Sequence, residues 1–371
     1  MLIKSRVSKR QLDINAVHKT FSELTNVNKG LSFAGRPLQA YQWGHGKRRV
    51  LLWSQMHGNE PTATRALQKL MPRLSQQREW QEQLSLVIIP ILNPDGAAVF
   101  SRYNAMGIDI NRDARALCSP ESQFLQQVVS DFKPHWAFNL HDQRSIYSVG
   151  KPAKPATISF LAPSLDGERS ISSSRARAIR LIGALHREME KTLPGHCGRY
   201  SDEFYPRAWG DALQARGIPT VLIESGAYYN DLERNKAQQF NENLIGKALE
   251  IIAGNTLNEH SQEDYFAIPE NEKLMRDLLL RQVAISWQGK KFTADVSLMQ
   301  QEIFENGKLH YQWVWDEVGD LSNYNGLQEE EGGAMEWREL PQTGCPVNGR
   351  YYKNDGKIEY IKGVTNLNSK F

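Results

Sequence analysis

The sequence predicts an α/β fold in which helices cover both faces of a sheet, followed by a smaller β-rich part. Three observations carry that expectation. Continuous, β-branched apolar runs recur through the first two-thirds of the chain, as strands buried on both faces do. Segments of helical period separate these runs, and strand–helix alternation is the pattern of layered α/β folds. Past Asn255 the alternation stops. The 371 residues suffice for one large domain and a smaller one.

In chain order, residues 1–48 mix a short helical pattern, Val17 to Leu24, with polar turns. The first buried strand is expected at Val50–Gln55. A helix follows over Thr62–Leu70, with Pro61 in its first turn, where the missing N–H is no loss. A strand is expected at Leu84–Ile91. Ser119 and Pro120 are start signals for a helix over Glu121–Phe132. Strands at His135–Leu140, Ile158–Ala162 and Thr220–Ile223 alternate with helices at Arg175–Lys191 and Lys236–Ile252. In such sheets, ligands sit at the carboxyl ends of strands. His57, the turn Asn93-Pro94-Asp95-Gly96, His141 and Glu224 all lie just past expected strand ends.

Residues 255–264 are polar and are expected to form a linker, giving domains at 1–258 and 265–371. Lys273–Val283 fits either helix or strand. Short strands are expected at Val283–Trp287, Phe292–Leu298, Tyr311–Val314 and Ile358–Ile361, separated by Gly and Asn turns. Four of the nine Trp lie in this part. Charge changes sign here as well. Through position 261 the chain carries 33 basic and 24 acidic residues, and after it 12 and 18.

Composition narrows the function classes. A net charge of +3, with no basic stripe, gives no support for nucleic-acid binding. Cys118, Cys197 and Cys345 are odd in number and form no C-x-x-C pair, which argues against a disulfide framework or a cysteine metal site. No stretch approaches the length of a membrane span. The basic N-terminus lacks an apolar segment behind it, so the expectation is a cytoplasmic chain, or a periplasmic or secreted one if a leader was removed. Oligomeric state is not legible.

The chemistry concentrates in four segments. The first is Met56-His57-Gly58-Asn59-Glu60-Pro61, at a strand–turn–helix junction. His57 and Glu60, either side of a sharp turn, can point at one cation, and two His with one Glu is a ligand set of open zinc sites. The spacing alone is uninformative, because His260 and Glu263 repeat it in a polar stretch with no strand before them. The second segment joins Arg102-Tyr103-Asn104 to Gly107-Ile108-Asp109-Ile110-Asn111-Arg112-Asp113. The third is Asn139-Leu140-His141-Asp142, and the fourth is Val221-Leu222-Ile223-Glu224-Ser225-Gly226. Glu224 follows a run of apolar residues, where an unpaired carboxylate is unfavourable without a function or a partner.

In their order and surroundings these segments resemble the zinc carboxypeptidase family, the carboxypeptidase A-like enzymes, over about residues 40–253. The resemblance implies a mixed, largely parallel sheet and one zinc ion per chain. It implies His57, Glu60 and His141 as metal ligands and Glu224 as the catalytic glutamate. Arg102 would polarise the scissile carbonyl, and Asn111 with Arg112 would hold the substrate's terminal carboxylate. Tyr205 is the candidate for the family's mobile tyrosine, with Tyr228 and Tyr229 as competitors. The specificity pocket would fall near Gly210 and Asp211. The implied partner is a peptide with a free C-terminal carboxylate.

The residue types agree with that chemistry. Peptide hydrolysis needs a nucleophile at neutral pH, which zinc supplies by acidifying water. A carboxylate in the cleft can take that proton and return it to the leaving amine. An arginine suits bidentate capture of a carboxylate. The same residues also suit a zinc amidohydrolase acting on cell-wall peptides or N-acyl amino acids. A non-catalytic binding module would require a lost ligand or base, and none is lost.

Overall fold

The computed structural model describes residues 6–353 and 358–362; residues 1–5 and 363–371, at the ends of the two expected domains, lie outside it. The chain divides into two compact units. The larger comprises Arg10–Arg144 and Ala156–Asn271. The smaller begins at Glu272 and takes in two earlier segments, one ending at Lys9 and the other spanning Ser145–Pro155.

In the larger unit an eight-stranded sheet carries the fold. Its strands are β1 (Thr25–Leu31), β2 (Pro37–Trp43), β3 (Arg48–Trp53), β4 (Leu84–Ile89), β5 (Trp136–Asp142), β6 (Ile158–Leu161), β7 (Cys197–Arg199) and β8 (Thr220–Ser225). They lie in the order β7-β6-β8-β5-β3-β4-β2-β1. The central strands β8, β5, β3 and β4 are mutually parallel, while β2 pairs antiparallel with β4, and β6 with β8. The sheet is therefore mixed and largely parallel. Three strands, β1 and its neighbour β2 at one edge and β7 at the other, were not expected from the sequence. β1 reads Thr-Asn-Val-Asn-Lys-Gly-Leu and alternates between exposed and half-buried, so it shows no apolar run.

Period-two alternation sends successive side chains to opposite faces. Val50 and Leu52 of β3 enter one core with Leu67, Leu70, Ile182 and Leu244, while Leu51 and Trp53 enter another with Leu125, Val128 and Trp209. The first core is closed by α2 (Thr62–Ser75), α4 (Ser173–Glu190) and α6 (Asn235–Gly254). The second is closed by α3 (Pro120–Phe132) and α5 (Trp209–Ala215). Residues whose sheet face is buried on both sides read as continuous apolar runs, which is why these strands were legible.

Two expectations need correction. The helix expected over Val17–Leu24 is α1 (Ile14–Thr20), started earlier because the Asp13 carboxylate accepts the Asn15 and Ala16 N–H groups. The stretch expected as a linker is not extended. It forms a 3₁₀ turn, Leu257–Glu259, and a short helix, Glu263–Phe266, whose Tyr265 is fully buried in the first core. The Tyr265 hydroxyl accepts the Ala162 N–H at 3.2 Å.

The smaller unit is β-rich. Strands β9 (Leu278–Trp287), β10 (Lys290–Glu305) and β11 (Lys308–Gly319) form an antiparallel meander, and Ala334–Trp337 adds parallel to β9. Lys273–Val283 thus resolves as strand rather than helix over most of its length. Trp313, Trp315 and Trp337 are buried in its core with Leu280, Val296 and Tyr351, so the tryptophan clustering marks packing. No helix among the described residues is long and apolar enough to cross a membrane.

Candidate active site

The site lies at the carboxyl ends of β3, β5 and β8. After β3 the chain turns sharply. Gln55 adopts the left-handed region at φ 46°, and its amide donates to the Gly58 carbonyl at 2.9 Å. The neighbouring turn is stitched on by Asn93. Its Oδ1 accepts the Gly96 N–H at 2.8 Å, and its amide donates to the carbonyls of Met56 at 3.3 Å and Arg102 at 3.4 Å. The two turns touch backbone to backbone, since a Cβ on Gly58 would lie 2.0 Å from the Gly96 carbonyl carbon. Gly58→Ala is expected to destabilise the unit by about 3 kcal/mol, the upper end for overpacking. A thermal melt checks this, and an unchanged midpoint would show that the turns separate readily.

This turn presents His57 and Glu60, and β5 brings His141 to them. His57 Nδ1 stands 2.8 Å from Glu60 Oε1, and His141 Nδ1 stands 2.8 Å from Glu60 Oε2. The two Nδ1 atoms are 3.2 Å apart. All three side chains are buried, and among the described residues theirs is the one group of three such side chains close enough to share a metal ion. Tetrahedral zinc with ligands at about 2.1 Å spaces neighbouring ligand atoms about 3.4 Å apart, so this set needs little adjustment to hold one. His141 Nε2 is buried without a partner. Burial disfavours ionising Glu60, yet the two imidazoles hold its carboxyl well below the usual range. Burial lowers His141, favouring the neutral ring that a metal requires. His260 and Glu263 form no such group; His260 Nδ1 faces the Arg187 guanidinium at 2.7 Å.

Two aspartates support the set, and neither was singled out from the sequence. Asp109 Oδ1 meets His57 Nε2 at 3.0 Å, while its other oxygen takes Arg102 Nε at 3.0 Å and Nη2 at 2.9 Å. A carboxylate on the far nitrogen of a ligand imidazole fixes its tautomer and orientation. Burial opposes ionisation of Asp109, but His57 and Arg102 hold its carboxyl below the ordinary range. Asp142 follows His141. Its backbone N–H donates to Glu60 Oε2 at 3.1 Å, and its carboxylate accepts the Thr62 hydroxyl at 2.6 Å and the Arg10 guanidinium at 2.7 Å. The signal for Asp109 was its place two residues before the Asn111-Arg112 pair, and for Asp142 its contact in sequence with His141.

The remaining expected residues arrive from two further elements. Arg102 Nη1 lies 3.2 Å from His57 Nδ1 and 3.5 Å from Glu60 Oε1, beside the metal set. Asp109 does not pair with Arg112. It caps the short turn Ile110–Arg112 by accepting the Asn111 N–H at 2.9 Å, and Asp113 caps the Cys118 and Ser119 N–H groups instead. Asn111 Oδ1 accepts the Trp209 N–H at 3.0 Å, which leaves its amide Nδ2 without a protein partner among the described residues. Arg112 donates to the Asn111 carbonyl at 2.8 Å and is exposed, with no ion-pair partner among the described residues.

The Tyr205 ring packs 4.6 Å from the Arg112 guanidinium, and its hydroxyl accepts from Arg207. Tyr205 thus touches the arginine and not the metal set. Tyr228 and Tyr229 pack against each other and His196. Asp211 accepts the Tyr205 N–H at 2.9 Å, and burial raises its carboxyl to about 6. Glu224, the penultimate residue of β8, lies directly beside His141 in register. It is half-buried, its Oε2 has no partner, and burial together with the Glu60 and Asp142 carboxylates pushes its carboxyl well above the usual range.

Residues 13–157 match the zinc carboxypeptidase family. Over that region the chain is similar to the family. A 100-residue stretch is 32% identical to carboxypeptidase 2 of Trichophyton rubrum, covering 26% of this chain and 19% of that protein. The same figures hold for the probable carboxypeptidase 2 of Arthroderma benhamiae. The chain therefore spans about a fifth of the length of these curated relatives. Among solved structures, the metallo-carboxypeptidase of Pseudomonas aeruginosa matches with a TM-score of 0.52 at 17% identity, over 64% of this chain and 68% of its own. That of Burkholderia cenocepacia gives 0.51 at 16%, over 66% and 67%. These likenesses show the fold. The matched family is one of zinc-dependent hydrolases, and in this chain His57, Glu60 and His141 are positioned as a metal site. All three lie inside the matched region; Glu224 lies beyond it.

Proposed function

We propose that the protein is a zinc metallocarboxypeptidase that releases single C-terminal residues from peptides. The observation that carries this reading is the pairing of Asn111 Nδ2, left to donate, with an Arg112 guanidinium that has no salt-bridge partner among the described residues. Together they offer a planar cation and an amide donor to a substrate carboxylate, the geometry that Arg serves better than Lys.

His57, Glu60 and His141 would hold one zinc ion, which when bound acidifies water and polarises a carbonyl. The Glu224 carboxylate accepts the proton of the attacking water and delivers it to the leaving amine nitrogen. Its raised proton affinity suits a group that must do both near neutrality. Arg102, tethered through Nε and Nη2 to Asp109, keeps Nη1 at the metal set, where it meets the developing oxyanion. Tyr205 covers one side of Arg112 and so flanks the bound carboxylate.

The test compares peptides that differ only at the C-terminus. Amidation removes the charge and leaves the arginine unpaired, so kcat/KM is expected to fall by the equivalent of about 2–5 kcal/mol, as when one partner of a hydrogen-bonded charge pair is truncated. Equal rates on amidated and free-acid peptides would take Arg112 out of the anchor role.

A further inference from the structure

We propose that Arg10 is a positioning residue for the metal set, acting through Asp142 on Glu60. The inference rests on the reading of His57, Glu60 and His141 as zinc ligands. Arg10 lies just before the region that matches the family, and no motif points to it. Its side chain is 3% exposed, as is that of Asp142, and Nη2 meets Asp142 Oδ2 at 2.7 Å across 132 positions of sequence.

Asp142 is where four pieces of chain meet. Its oxygen Oδ2 also accepts the Thr62 hydroxyl at 2.6 Å, which ties it to the first turn of α2 directly after Glu60-Pro61. Arg234 approaches the same oxygen at 3.7 Å while donating to the Ser225 carbonyl at 2.7 Å, next to Glu224. The Asp142 backbone N–H donates to Glu60 Oε2, the oxygen that faces His141. Fixing the carboxylate therefore fixes the peptide that orients one ligand and carries another. The segment around Arg10 also lies beside the chain that leads to Arg102. Its guanidinium lies 5.7 Å from the centroid of the Phe100 ring, two residues before Arg102, and Gln11 donates to the Ala98 carbonyl at 3.1 Å. Outer partners of this kind change metal affinity by about 10–100-fold when removed.

A double-mutant cycle on the full chain tests the relay. Zinc dissociation constants are measured by competition with a chromophoric chelator for the wild type, Arg10→Gln, Asp142→Asn and the double variant. Circular dichroism of each apo form establishes folding. Each single variant is expected to bind zinc about 10–100-fold more weakly. The double variant is expected to be no weaker than the worse single, because both changes break one path. Arg10→Lys, which keeps the charge, is expected to bind zinc more tightly than Arg10→Gln. Wild-type affinity in folded Arg10→Gln overturns the proposal, and so do losses that multiply in the double variant. If Arg10→Gln does not fold, Asp142→Asn decides: undiminished affinity there breaks the relay. Failure of the wild type itself to bind zinc would instead remove the metal-site reading on which the proposal stands.

Discussion

Glu224→Gln is expected to keep the fold and a full complement of zinc while losing about 10²–10⁴ in turnover, the usual range for a general acid/base. Glutamine preserves the shape and one acceptor oxygen but cannot accept the water proton. The side chain is not among the three that converge on the metal position, so zinc content should not move. Burial, Glu60 and Asp142 all disfavour the charged carboxylate, so neutralising it relieves repulsion and should not lower the melting temperature. The decisive comparison is kcat at equal zinc stoichiometry, measured on a free-acid peptide. Near-normal turnover would falsify the acid/base assignment.

His141→Ala is expected to empty the site. Two protein ligands would remain of three, and Glu60 would keep a single imidazole beside it. Open zinc sites rely on three protein ligands with the fourth position left to water. Zinc should fall to about a tenth of the wild-type content or less after dialysis, and turnover should fall with it. His260→Ala is the matched control, because the same His-x-x-Glu spacing there meets Arg187 and should leave zinc unchanged. Elemental analysis that found undiminished zinc in His141→Ala would take that residue out of the ligand set.

What the sequence made legible follows from burial. β3, β4, β5 and β8 lie inside the sheet, so their apolar runs were unbroken, and residues at their carboxyl ends could be grouped before any contact was known. β1 escaped because an edge strand with an exposed face carries polar residues and resembles a loop, and β2 because Gln39 and Gln42 break its apolar run. The turn and short helix around the expected linker were not legible because residues 255–264 are polar and the buried residue that follows them, Tyr265, lies just outside. Of the site, the motif residues His57, Glu60 and His141 were legible as types suited to metal. Their supports were less so. Asp109 and Asp142 are ordinary acids until the distances show one on His57 and the other on Arg10 and Thr62. Asp109 and Asp113 flank Arg112 in sequence and are of a type that could pair with it. The structure spends both aspartates elsewhere, on Arg102, His57 and the caps of two turns.

The parallel pairing of β3 with β5 has a consequence for the order of events as the chain folds. His57 and His141 are separated by 84 positions, and they meet only when Val50–Trp53 lies against Trp136–Asn139. Parallel strands cannot be joined by a tight turn, so this contact forms late and slowly relative to local structure. Until then the chain offers a lone His57–Glu60 pair, half a ligand set. Glu224 joins only once β8 has been added beside β5. The full set of site residues is therefore assembled only with the complete sheet, and a nascent or partly unfolded chain carries the pieces of the site without bringing them together.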